Sequence, residues 1–156
     1  MEAQGLEIAP AAVAEIEAAA GINALLDEYA AESLIDGLPA PVANWQAYRA
    51  LEAAGMLHVF AARVHGRMAG FVAVLIAPHP RYSVNLATTE SFFVARAHRG
   101  TGAGLKLLRA AEQRAREAGA PGLLVSAPSG GDLARVLPRV GYRESNRVFF
   151  RPVRHG

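Results

Sequence analysis

Apolar positions recur along this chain with two different periods, and the switches between them mark out its elements. The stretch "LEIAP" (6–10) reads as a short strand. Residues 11–35 carry apolar side chains three and four apart, as one or two helices interrupted near Gly21 and closed by "DGLPAP". Asn44 is placed to cap a helix over "WQAYRALEAAG", which stops at Gly55. "MLHVFAARV", the turn "HGR" and "MAGFVAVLIA" predict an antiparallel hairpin. "PHPRY" reads as a loop and "NLATTESFFVA" (85–95) as the next strand. From Gly102 to Ala118 the period becomes helical, with Leu108, Ala111, Ala115 and Ala118 on one face. "PGLLVSA" (121–127) predicts a buried strand, "GDLARVLPRVG" (131–141) a short helix and "SNRVFFRPV" (145–153) a last strand. Strands come first, then strand–helix–strand–helix–strand. That order predicts an α/β fold with a mixed sheet and one parallel, right-handed crossover.

Composition narrows the class. At 156 residues the chain is read as a single domain over 1–156, without repeats or a linker. Its apolar fraction of 52% is interrupted by charges throughout, so no run approaches a membrane span. The acidic N-terminus lacks the order of a signal peptide. There is no cysteine, which removes a disulfide framework, a thiol nucleophile and a thiolate metal ligand. A cytoplasmic globular protein is expected. Charge is unevenly spread: residues 1–93 hold four arginines against ten carboxylates, and residues 94–156 hold twelve basic side chains against four acidic ones. The halves therefore carry −6 and +8, as suits an anion held by the second half and a cationic partner near the first. For any single charge, a solvated helix face explains as much. This holds for Asp27, Glu28, Glu32 and Asp36, which could otherwise attract a cationic acceptor.

The candidate chemistry centres on "RGTGAG" (99–104), after an apolar strand and before an amphipathic helix. A P-loop would need Lys after its last glycine, and here Leu105 follows Gly104. The dinucleotide spacing fails as well, because Leu105 and Leu107 stand where the third glycine is required. The physics of a helix start still favours an anion: its first N–H groups are free, and the dipole adds about +0.5 charge there. An ordinary glycine-rich turn is the competing reading.

The flanks of this loop resemble the cofactor-binding motif of the GNAT superfamily of N-acetyltransferases, [RQ]xxGx[GA] after a strand ending in valine. Arg99, Gly102 and Gly104 take its fixed places, and "RVLPRVGY" resembles the family's later "LYEKLGF" signature, ending at Gly141 and Tyr142. The resemblance implies a six- to seven-stranded mixed sheet flanked by helices and splayed between its fourth and fifth strands. It further implies acetyl-CoA as donor. Backbone groups of Arg99, Gly100, Thr101, Gly102, Ala103 and Gly104 would hold its pyrophosphate, and those of Phe92, Phe93 and Val94 its pantetheine amides. The acceptor implied is a primary amine of a small molecule or peptide. Nucleic acid is disfavoured as a partner, and a homodimer is compatible with the family.

Acetyl transfer to an amine poses two unequal proton problems. Freeing the lone pair of an amine with a pKa of about 10.4 costs about 4.6 kcal/mol at pH 7, whereas expelling a thiolate costs about 2 kcal/mol. A base matters more than an acid. Glu90 interrupts an apolar strand, where alternation predicts Thr88, Glu90, Phe92 and Val94 on one face, and partial desolvation there would raise its pKa. It also falls where many family members carry a glutamate base; a salt-bridged surface glutamate is the plainer alternative. The tyrosine that serves as general acid in the family is replaced by Leu137, which leaves Ser126, Ser129 or Tyr142 as donors, or unassisted departure. Tyr29 and Tyr82 lie in segments that wall the acceptor site in relatives, while Trp45, Tyr48 and Leu51 read as core. No metal-ligand spacing joins the five histidines. A non-catalytic acyl-CoA-binding module and acetylation of a nucleic-acid-linked amine remain the other readings.

Overall fold

The computed structural model describes residues 4–153; residues 1–3 and 154–156, with His155, lie outside the described residues. Five strands form one sheet in chain order: β1 (Leu6–Pro10), β2 (Leu57–Val64), β3 (Arg67–His79), β4 (Val84–Val94) and β5 (Leu123–Leu124). The first three pairings are antiparallel and β4–β5 is parallel. The β2–β3 connection has only His65 and Gly66 at its tip, both at positive φ (49° and 79°). Two such residues give the turn whose twist matches the flanking strands.

Helices cover both faces. α1 (Val13–Glu17), α2 (Ile22–Glu32) and α3 (Trp45–Ala53) pack on one, and α4 (Ala103–Glu117) on the other. The expected cap of α3 is present, with Asn44 Oδ1 accepting from Ala47 N–H at 3.0 Å. Of the expected stripe on α4, Leu108, Ala111 and Ala115 are buried and Ala118 is half-buried, while the side chains that pack with Val72, Val74 and Val94 of the sheet are Ala103, Leu107, Ala111 and Ala115. On the opposite face Ile16, Ile22 and Leu25 meet Phe71 and Phe93. No helix among the described residues is long and apolar enough to cross a membrane.

The C-terminal third departs from expectation. The predicted strand over 121–127 shrinks to Leu123–Leu124, and 131–141 becomes a five-residue helix, α5 (Asp132–Val136), followed by one tighter turn. Residues 145–153 form no strand: Val148 is 90% and Phe149 86% exposed. Among the described residues the sheet thus has five strands rather than six or seven. Pro152 lacks the N–H that a ladder needs, and so short a β5 offers almost no edge for pairing. The segment instead turns toward the α2–α3 loop, where Pro152 and Phe150 crowd Gly37, a glycine at φ +92°.

Candidate active site

The β3–β4 ladder pairs Ala73 with Ser91 but Val74 with Thr89, so Glu90 is an extra residue with no partner across the ladder. This bulge reverses the alternation. Ala87 and, past the bulge, Phe92 and Val94 pack on the α4 side, whereas Ser91 and Phe93 face α1–α3. Glu90 therefore lies on the α3 side, opposite Phe92 and Val94, and the single-face expectation fails for a specific reason: one inserted residue inverts the period of two. Glu90 is also exposed rather than desolvated.

Two tyrosines converge on this carboxylate. The Tyr48 hydroxyl, from α3, donates to Glu90 Oε1 at 2.9 Å. Burial first, and then the charge and hydrogen bond of Glu90, hold the Tyr48 pKa well above its usual value, so it remains a donor. Burial, then Glu90, also raise that of Tyr29. Both tyrosines line a cavity of about 60 Å³ between the helices and the sheet. Its floor is buried Val13, Ile16, Ile22, Phe71, Ala73 and Ser91; its half-buried rim includes Leu26, Ala43 and Trp45. Spacing placed Tyr48 in the core; its ring does pack there, but its hydroxyl reaches the bulge, which no helical period reveals.

The second part of the site opens where the bulge bends β4. Pairing with β5 stops at Ala87–Leu123 and Thr88–Leu124, and no described strand joins β4 there from Thr89 to Val94. Just past that open stretch lies the glycine loop. Gly100 and Gly102 sit at φ +83° and +89°, and a Cβ on either would meet nothing within 4 Å. Thr101 Oγ1 donates to His98 carbonyl at 2.6 Å and accepts from Ala103 N–H at 3.4 Å, which shapes the turn. The N–H groups of Gly100, Gly102, Gly104 and Leu105 have no acceptor among the described residues. An open concavity with unsatisfied donors at the start of a fifteen-residue helix fits a phosphate group.

The side chain of Arg99 is engaged within the protein. Its guanidinium forms a two-pronged pair with Glu32 of α2 (2.7 and 3.1 Å), and its Nε–H donates to Val94 carbonyl at 3.0 Å. It also lies 5.3 Å over the Phe93 ring and approaches Asp132 of α5. Nearby, Glu28 Oε1 accepts from Arg96 N–H at 2.7 Å. Glu28 and Glu32 are thus tethers of the loop rather than a solvated face, while Asp27 and Asp36 are exposed.

The other candidates scatter. Ser126 N–H donates to Thr89 Oγ1 at 3.1 Å, one residue from Glu90. Tyr142 donates to Glu112 Oε1 of α4 at 2.7 Å and so sits on the sheet face away from Glu90; burial and that bond raise its pKa. Tyr82 is exposed at the β3–β4 tip beside His79 and is not part of the cavity. Leu137 is buried and brings no proton donor.

The profile of the acetyltransferase (GNAT) family matches residues 22–136. The chain belongs to this family. The GNAT match spans α2, α3 and the whole glycine loop, leaves out α1, and stops two residues into "RVLPRVGY". Similar solved structures include a ribosomal-protein-alanine N-acetyltransferase from Brucella melitensis biovar Abortus 2308, 19% identical, with a TM-score of 0.71 over 95% of this chain and 99% of that one. The aminoglycoside acetyltransferase meta-AAC0020 from an uncultured soil metagenomic sample, in complex with sisomicin, is 18% identical, with a TM-score of 0.73 over 96% and 97%. AAC(6')-Iy, in complex with a bisubstrate analogue of coenzyme A, is 20% identical, with a TM-score of 0.68 over 96% and 99%. These likenesses establish the fold. No curated protein matches the chain in sequence.

Proposed function

We propose that this protein is an acetyl-CoA-dependent N-acetyltransferase acting on a primary amine of a small molecule or peptide, with Glu90 as general base. The observation that carries the reading is the bulge itself. It puts Glu90 on the cavity side of β4 at the point where β4 leaves β5, four residues before the strand ends next to the unsatisfied amides of the loop. Donor and acceptor would meet there from opposite sides of the strand.

The residues divide the work. The amides of Gly100, Gly102, Gly104 and Leu105 would hold the pyrophosphate, and the backbone of Phe92–Val94, which no described strand pairs on the β5 side, the pantetheine arm. Arg99, already engaged by Glu32 and Val94, positions the loop instead of contacting phosphate through its side chain. Acetyl-CoA, when bound, supplies an acetyl thioester whose C–S bond breaks as the amine forms the C–N bond, the sulfur leaving as thiolate. Glu90 accepts the amine proton, and its exposure lets that proton pass to water. Ser126, beside Thr89, is the nearest candidate to return a proton to sulfur; the small cost of thiolate departure makes this assistance dispensable. AAC(6')-Iy, held with a bisubstrate analogue of coenzyme A, supports the choice of donor.

Thiol release from acetyl-CoA with a panel of amines tests the reading. Amine-dependent release that falls sharply in Glu90→Gln supports it. Binding of acetyl-CoA without transfer to any amine would instead indicate an acyl-CoA-binding module.

A further inference from the structure

β4 and β5 part in the middle of the site, and one side chain holds the point where they part. Continued in register beyond Ala87–Leu123 and Thr88–Leu124, the ladder would set Thr89 beside Val125 and Glu90 beside Ser126. It stops instead. The Ser126 N–H donates to Thr89 Oγ1 at 3.1 Å, and residues 125–128 form no strand. A side-chain acceptor thus stands where a parallel ladder would use the backbone, one residue before the bulge.

Thr89 is suited to hold that point. It is 4% exposed, and its backbone is still paired with Val74 on the β3 side. Its branched side chain has few χ1 choices, so a hydroxyl packed there keeps its direction. Glu90 follows it directly, and Phe92–Val94 lie just beyond the bulge. An extended arm lying between two strands needs them about 9–10 Å apart, two strand spacings instead of one. The apex of the gap sets where that width is reached.

We propose that Thr89 is a positioning residue: by holding Ser126 at the apex of the gap between β4 and the chain after β5, its hydroxyl sets the seat of the pantetheine arm and of the thioester beside Glu90. This rests on the coenzyme A reading of the loop and strand, and the arm, not the nucleotide, is what Thr89 seats. 3′-Phospho-ADP, the nucleotide part of coenzyme A, keeps the pyrophosphate and lacks the arm, so it separates this role from a general loss of structure.

Coenzyme A and 3′-phospho-ADP are titrated by calorimetry into the unaltered protein, Thr89→Val and Thr89→Ser, and each protein is then assayed for thiol release with acetyl-CoA and the amine panel. Thr89→Val keeps the branched shape and loses the acceptor. It is expected to weaken coenzyme A binding about 3- to 10-fold, the size of one lost hydrogen bond, with 3′-phospho-ADP binding unchanged. Thr89→Ser keeps the hydroxyl and is expected to stay within about twofold of the unaltered protein for both ligands. Coenzyme A binding that Thr89→Val leaves unchanged overturns the proposal. So does equal weakening of both ligands, which marks a structural loss, or a Thr89→Ser protein as impaired as Thr89→Val. Failure of the unaltered protein to bind coenzyme A overturns the donor reading together with the role of Thr89. The expected binding pattern without amine-dependent thiol release upholds Thr89 and overturns acetyl transfer.

Discussion

The Tyr48 hydroxyl donates to Glu90 Oε1 across 2.9 Å, joining a helix to a strand bulge 42 residues away. The bond fixes which way the carboxylate points, because Glu90 has no ladder partner of its own. A positioned base contributes about 10²- to 10⁴-fold in general. Glu90→Gln is expected to lower kcat/KM at pH 7 by about 10²- to 10³-fold with the acetyl-CoA KM unchanged. Its residual rate should climb with pH toward the amine pKa of about 10.4, since solvent then does the deprotonation. A flat residual profile would count against a base role. Tyr48→Phe keeps the ring and loses the donor, and should reduce kcat about 3- to 10-fold while leaving the acetyl-CoA KM alone.

Gly102 caps α4 at φ +89° with open space where a Cβ would stand. A side chain there meets backbone strain of about 1–2 kcal/mol and projects into the space assigned to phosphate. Gly102→Val should raise the acetyl-CoA KM about tenfold or more, with the amine KM less affected. Steady-state kinetics in both substrates decides it; an unchanged acetyl-CoA KM would detach the loop from the donor.

The Arg99–Glu32 pair ties α2, which lines the cavity, to the start of the loop. Both side chains are about one-third exposed, so a coupling of about 0.5–1 kcal/mol is expected from a double-mutant cycle of Arg99→Ala and Glu32→Ala by urea unfolding. Hydrogen bonding from Arg99 is the main cause that lowers the Glu32 pKa in the fold. A carboxylate lowered on folding adds stability that is full above its unfolded value, near 4.5, and lost as pH falls through the folded one. The coupling should therefore persist at pH 6 and disappear in strong acid.

His58 on β2 acts at a higher pH than Glu32, in the same direction. Burial, then the charge of Arg114, lower its pKa, and Nδ1 accepts from Arg114 Nε–H at 3.3 Å, which requires the neutral ring. The unfolded chain binds this proton more tightly, so stability falls as pH drops below about 6.5 and levels off below the folded value. His58→Gln should flatten the change in Tm between pH 7.5 and pH 5.5. A slope identical to that of the unaltered protein would show that other groups set it.

Elements whose boundaries are written in local chemistry were legible in the sequence. The Asn44 cap, the His65–Gly66 turn and the Gly102 start of α4 each depend on a residue suited to its own backbone. The loop could be read for the same reason. The bulge could not, because one extra residue in β4 is visible only against β3. Tyr48 illustrates the same limit: its ring obeys the helical period while its hydroxyl serves a residue far off in sequence. Residues 145–153 show the reverse, a strand-like pattern without an edge to complete.

Whether an amine takes the acetyl group at Glu90 is decided by counting both products of the transfer. Free thiol and N-acetylated amine are followed together, from acetyl-CoA and the primary amine of the panel that gives the fastest thiol release, in the unaltered protein and in Glu90→Gln. One acetylated amine is expected for each thiol released, with both products reduced about 10²-fold or more by the substitution at pH 7. Thiol release that needs no amine, or product formation indifferent to Glu90→Gln, would contradict acetyl transfer at this carboxylate.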